Sequence, residues 1–191
     1  MPRWEPDARE RLVCAALDLF TQQGYDNTTV AEIVERAGLT KSTFFRHFPD
    51  KREVLVAGQD TLSKLFADGI AAAPDAATPL EAVGAALAFA AEAFTVSGQR
   101  DLGPKIAAVI AANCELQERD ALKPVGLAAA MTAALEDRGV QDLAASLAAE
   151  LGVLAFKRAF ARWSDSANQL ELGELARQSL LDLRAASAAL T

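Results

Sequence analysis

The stretch from Thr29 to Pro49, TVAEIVERAGLTKSTFFRHFP, leaves the chain very little conformational freedom. Thr29 and Glu32 have the spacing of a capping box, in which hydroxyl and carboxylate each satisfy a backbone amide at the helix start. Val30, Ile33, Val34 and Ala37 repeat at the spacing of one helix face, and Gly38 stops that helix because glycine accepts left-handed backbone. Thr40 caps the next helix, and Pro49 disfavours helix at the residue before it. Phe44 and Phe48, four residues apart, share one face of this second helix; Ser42 and Arg46 fall opposite, flanked by Thr43, Phe45 and His47. The aromatic pair anchors the helix and leaves the hydroxyls and Arg46 to face outward, while the Phe45 ring either joins them or is partly buried.

The rest of the chain reads as helix too. Val13, Ala16, Leu17 and Phe20 place a first helix over Asp7 to Gln23, closed by Gly24. A longer helix is expected from Lys51 to about Ala72, followed by a linker, AAAPDAATP. Further helices are expected at about Pro79 to Val96, Leu102 to Ala112, Glu115 to Asp137, Gln141 to Trp163 and Leu170 to Leu190. No strand-like alternation of useful length interrupts them. The predicted fold is all-α: a three-helix N-terminal domain over 1–52, then a helical bundle over 53–191.

Composition narrows the function. The first thirty residues carry charge throughout and show no leader-like apolar run, and no apolar stretch is long enough to span a bilayer, so a soluble cytoplasmic protein is expected. Cys14 and Cys114 stand far apart, and the chain has a single histidine, so neither a disulfide framework nor a metal site is expected; the thiols read as small buried or half-buried groups. No paired carboxylates, activated nucleophile or phosphate loop can be assembled, which argues against an enzyme and against any cofactor. The formal charge of −7 opposes nucleic-acid binding only on average. Residues 1–52 hold eight Lys or Arg against eight Asp or Glu, so the whole excess of negative charge lies beyond them.

A capped helix, a turn containing glycine and a second short helix with polar groups outward is the helix-turn-helix pattern. In that arrangement Lys41, Ser42 and Thr43 reach base edges in the major groove, while Lys51 suits phosphate oxygens and His47 either does so too or is a plain surface histidine. Arg46 is either a further contact or a solvated cation. Arg3, Arg9 and Arg11 are either an N-terminal arm on the DNA or a frayed end.

The segment ARERLVCAALDLFTQQGYDNTTVAEIVERAGLTKSTFFRHFPDKREVL resembles the DNA-binding domain of the TetR family of bacterial transcriptional regulators, through the blocks AALDLF, GYDNTTVAEIVERAG and TKSTFFRHFPDK in order. The resemblance implies that Thr29 holds a phosphate, that Lys41, Ser42 and Thr43 lie in the groove, and that His47 and Lys51 contact the backbone. One position departs from the pattern. The family usually has tyrosine where this chain has Phe45, and a ring without a hydroxyl contacts a thymine methyl or a sugar edge instead of donating to phosphate.

The resemblance also implies a ligand-responsive repressor, a double-stranded DNA operator of palindromic sequence, a small-molecule effector and a homodimer. Leu147, Leu151, Leu154 and Arg158 form a row on one of the last two helices, and Leu172, Leu175 and Leu183 on the other, with Ala144, Ala148, Ala155, Ala176 and Ala186 permitting close approach. These rows either make the dimer surface, over about 141–163 and 170–190, or bury within the subunit. Phe66, Phe89, Phe156 and Phe160 are candidate ligand-pocket walls or plain core, as are Phe94 and Trp163. Asn113, Cys114 and Gln117 are candidate polar ligand contacts, Asn113 being equally a helix cap. Pro124, inside an otherwise helical run, kinks or splits it, and so either shapes a pocket or makes a plain joint. The rival readings are a helical-bundle enzyme or binding module, and a regulator controlled by a protein partner.

Overall fold

The computed structural model describes residues 8–56, 59–96, 102–165 and 167–190. These form helices α1 (Ala8–Gln23), α2 (Val30–Ala37), α3 (Lys41–His47), α4 (Glu53–Val56), α5 (Gln59–Ala71), α6 (Pro79–Val96), α7 (Leu102–Ala111), α8 (Cys114–Ala121), α9 (Lys123–Asp137), α10 (Asp142–Trp163) and α11 (Leu172–Ala188), with no strand among the described residues. The helical boundaries follow local chemistry. Thr29 and Thr40 cap α2 and α3 through their hydroxyls, and the expected capping box with Glu32 is present. Gly24, Gly38 and Gly139 all have positive φ where helices end.

The chain divides into two compact units. The first, the head, contains α1–α4 together with α7 and α8. Leu12, Leu17, Phe20, Ile33, Val34, Phe44, Phe48, Val54 and Leu55 make its core, and Val109 and Leu116 from α7 and α8 are buried in the same cluster. Helices as short as α2 and α3 are marginal in isolation, so this shared apolar face is what holds them. Lys105 pairs with Asp18 at 3.3 Å, and the Asn113 amide donates to Asp26 at 3.2 Å.

The second unit contains α5, α6, α9, α10 and α11, packed around Phe66, Ile70, Val83, Leu87, Met131, Leu135, Trp163, Leu172 and Leu175. Small residues set the spacing: a methyl added at Gly69 would lie 2.6 Å from the Ala86 Cα, so α5 and α6 meet backbone to backbone. Arg138 closes the end of α5, its guanidinium donating to the carbonyls of Ala73 at 2.9 Å and Pro74 at 2.6 Å. Thr78 and Glu81 form a second capping box at the start of α6.

Several expectations change. The division expected after residue 52 differs from the compact units, because α7 and α8 belong with the head: Ile106, Val109, Ile110 and Leu116 find their apolar partners there. The helical run from Glu115 to Asp137 is split at Leu122, one of the two outcomes expected of Pro124, which lies in the first turn of α9, where its missing N–H costs nothing. Of the helix expected from Lys51 to Ala72, α4 and α5 are present and residues 57 and 58 lie outside the described residues. Both thiols are exposed rather than buried.

Candidate nucleic-acid interface

Phe44 is completely buried and Phe48 nearly so, with ring centroids 5.5 Å apart. At about 1.5–3 kcal/mol for each fully buried side chain, this pair outweighs the intrinsic cost of so short a helix. The opposite side of α3 faces solvent. Lys41, Ser42, Phe45 and Arg46 are exposed, and no acidic residue occurs between Thr40 and Pro49. Thr43 is half-buried, its hydroxyl 3.0 Å from that of Thr40, so both hydroxyls take part in the cap. His47 is also half-buried, and its Nε2 is enclosed without a hydrogen-bond partner among the described residues.

Thr29 is exposed at the start of α2. Its N–H and hydroxyl both donate to the Glu32 carboxylate at 2.8 Å, and the Glu32 N–H donates to the hydroxyl at 3.3 Å. The Thr29 hydroxyl, with its backbone N–H and Gln23, holds the Glu32 carboxyl below the ordinary carboxylate range.

Lys51 departs most from expectation. Its ammonium donates to the carbonyls of Tyr25 at 2.7 Å and Thr28 at 3.0 Å and stands 4.2 Å from the centre of the Tyr25 ring. It holds the α1–α2 turn to the start of α4 instead of standing free for phosphate. Arg11 and Arg9 are likewise engaged within the head: Arg11 donates to the Ala37 carbonyl at the end of α2, and Arg9 lies over the Phe48 ring. Arg3 lies outside the described residues.

Two groups that carry the geometry of this region have no local signal in sequence. Tyr25 is buried against Phe20, and that burial, reinforced by the Glu115 and Asp50 charges, pushes its phenol up to about 12. Arg52 joins Asp50 at 2.6 Å to Glu115 at 2.7 Å, tying the α3–α4 loop to α8. The Arg52 hydrogen bond holds the Asp50 carboxyl below its usual range.

The candidate ligand-binding residues are not gathered in one unit. Asn113, Cys114 and Gln117 belong to the head, where the Asn113 carbonyl oxygen caps α8 through the Leu116 N–H, the cap that its position in the sequence allowed. Phe66, Phe156 and Phe160 do meet, in the second unit, with Phe94 and Trp163 beside them; Phe66–Phe156 centroids are 5.3 Å apart and Phe156–Phe160 5.9 Å. Phe66 is completely buried there, so it fills core. Phe89 stands apart on α6, 44% exposed. An open cleft of about 620 Å³ in this unit is lined instead by Ala67, Asp68, Ala71, Asp75, Asp137 and Arg138.

The dimer rows separate similarly. Leu172, Leu175, Ala148, Ala155 and Ala176 are buried inside the second unit, because α10 and α11 pack on each other and on α6. Leu147 and Leu154 remain exposed, joined by Leu143 and Leu181, which lie outside the rows expected from spacing. No helix among the described residues is long and apolar enough to cross a membrane, and no group of three His, Cys, Asp or Glu side chains among them is placed to hold a metal ion.

Residues 12–57 match the sequence profile of bacterial regulatory proteins of the tetR family. The chain is 37% identical over 78 residues to the HTH-type transcriptional regulator TcmR of Streptomyces glaucescens, covering 41% of this chain and 34% of TcmR. It is 38% identical over 93 residues to BetI of Rhizobium meliloti, covering 47% of this chain and 46% of BetI. The matched region thus spans less than half the length of these curated relatives. The fold extends further: the transcriptional regulator FadR from Bacillus subtilis, in complex with stearoyl-CoA, superposes with a TM-score of 0.61 at 17% identity over 91% of this chain and 96% of FadR. Salmonella enterica GusR does so with a TM-score of 0.55 at 22% identity over 95% of this chain and 97% of GusR. Through its N-terminal helices and the blocks of sequence that build them, the chain is similar over residues 12–57 to bacterial regulatory proteins of the tetR family.

Proposed function

We propose that the protein is a transcriptional repressor that binds a palindromic operator as a homodimer and is released by a small molecule. The observation that carries this reading is the outer face of α3: Lys41, Ser42, Phe45 and Arg46 exposed, with no acidic residue between Thr40 and Pro49, on a helix held by Phe44 and Phe48. A helix of this kind presents side chains to the major groove while cations meet phosphates. Thr29, Thr43 and His47 stand at the margins of that contact. Lys51 supports it from behind.

Two half-sites one helical turn apart require two heads, and the exposed Leu143, Leu147, Leu154 and Leu181 offer an apolar surface on α10 and α11 for a second copy. The effector reading draws on the FadR complex, which holds an acyl-CoA in the same fold. In this chain the half-buried rings of Phe94 and Phe160, which lie against the buried Phe156 and Trp163, are the part of the second unit suited to an apolar ligand. Such a ligand acts only to the extent that it binds the non-operator conformation better.

Selection of the full chain against random duplex DNA at two salt concentrations tests the core of this reading. Enrichment of an inverted repeat, with affinity falling steeply as salt rises and abolished in the double variant Lys41→Ala, Arg46→Ala, is expected. No enrichment at either salt would end the DNA-binding reading.

A further inference from the structure

Phe45 is the only large hydrophobic side chain exposed in the head among the described residues, at 56%. Its ring is not loose. It stands edge-on to the fully buried Phe44, with centroids 5.4 Å apart and planes at 82°, so one edge of the ring rests on the core. Lys41 lies one turn earlier on the same face, Arg46 follows directly, and the surrounding decapeptide from Thr40 to Pro49 has no negative charge. An exposed apolar ring backed by the core is therefore presented on a segment that carries cations and no acidic residue.

What such a ring recognises is narrow. It has no donor for a phosphate, and pressing it against one would strip water from an anion without replacing the missing hydrogen bonds. It cannot stack on a base of an intact duplex without unstacking that base. A sugar edge offers apolar C–H groups at every nucleotide alike, whereas the major-groove edge of a base pair offers donors, acceptors and one apolar group, the methyl on pyrimidine C5. Building on the DNA-binding reading above, we propose that Phe45 is a specificity-determining residue that reads a pyrimidine C5-methyl group at one position of each operator half-site. Thymine and 5-methylcytosine both carry that group.

The test uses the full chain and the operator recovered by selection. Each thymine of one half-site is replaced in turn by deoxyuridine, which removes the methyl and nothing else. One position is expected to lose about fourfold in affinity, and about fifteenfold when both half-sites are changed, the effect of one buried methyl per head. In Phe45→Leu and Phe45→Ala that position becomes indifferent to the methyl, while the other positions keep their wild-type response. Placing 5-methylcytosine against cytosine there separates the sources: a gain of about fourfold means that the methyl is read on either base, and no gain with the uridine loss intact assigns the contact to thymine. The proposal falls if every uridine operator binds as well as the parent, or if the uridine loss is the same in both Phe45 variants. Failure to recover any operator is a different result, and removes the DNA-binding reading itself.

Discussion

Replacing Lys51 by methionine separates two roles for a residue that sequence alone assigns to phosphate. The substitution keeps most of the aliphatic stem and removes the ammonium, so the carbonyls of Tyr25 and Thr28 are deprived of donors at 2.7 and 3.0 Å and the Tyr25 ring of its cation. A hydrogen bond to a charged group contributes about 1.5–3 kcal/mol and a partly exposed cation–π interaction about 0.5–1 kcal/mol. The Tyr25 carbonyl keeps the Thr28 N–H at 3.2 Å, which softens the effect. These contributions share one charge and do not add fully, so about 2–3 kcal/mol of local stability should disappear. Hydrogen-exchange mass spectrometry of peptides covering Tyr25 to Val34 reads this directly: every 2 kcal/mol speeds exchange about thirtyfold. The slope of operator affinity against salt reads the alternative, because removing one phosphate interaction from each of two heads would flatten it by about 1.8. Fast exchange with an unchanged slope is expected. Normal exchange with a flattened slope would refute the structural role and restore Lys51 to the DNA.

Tyr25 is the only tyrosine of the chain, so the near-ultraviolet absorbance of tyrosinate titrates it alone. The midpoint should lie at about 12 in the folded protein and return to about 10 in denaturant. Since the folded value is the raised one, the neutral phenol's contribution to stability is complete below about pH 10 and is lost as the pH rises towards 12. A folded midpoint near 10 would show that the ring is wetter than its surroundings indicate. Gly69→Ala and Gly84→Ala share a helix-propensity gain of up to about 1 kcal/mol. The added methyl meets the Ala86 Cα at 2.6 Å in the first and only the Leu180 Cδ2 at 3.5 Å in the second, so Gly84→Ala should raise the melting temperature and Gly69→Ala lower it, by a difference of about 2–3 kcal/mol; equal shifts would contradict the close approach of α5 to α6. Thr29→Ala should cost about 1 kcal/mol of head stability through removal of the cap, measured by denaturant unfolding, with Thr29→Ser recovering most of it.

How far the sequence reaches depends on how local the cause is. The two short helices of the head, their caps at Thr29 and Thr40 and their stop at Gly38 were all legible, because a cap is decided by atoms three residues apart. The buried Phe44 and Phe48 were legible for a similar reason, since a helix wheel assigns sides once one aromatic pair is known to be apolar, whereas the flanking Phe45 was open until its exposure was seen. The split at Leu122 followed from the chemistry of Pro124.

Tertiary packing decided the rest. Lys51 reads as a free cation until Tyr25 and Thr28, more than twenty residues earlier, bring their carbonyls to it. Leu172 and Leu175 sit at helical spacing, as Leu147 and Leu154 do, yet only the former pair is buried within the subunit, because which side of α10 or α11 meets α6 is not a property of either helix alone. The placing of α7 and α8 with the head is the largest such case: their apolar residues fit any core equally well by sequence, and Val109 and Leu116 found theirs beside α1. By itself the sequence determined helix, turn and the chemistry offered along each face. Which faces became core, clamp or open surface depended on interactions between residues far apart in the chain, and a periodic pattern is blind to the identity of its partner.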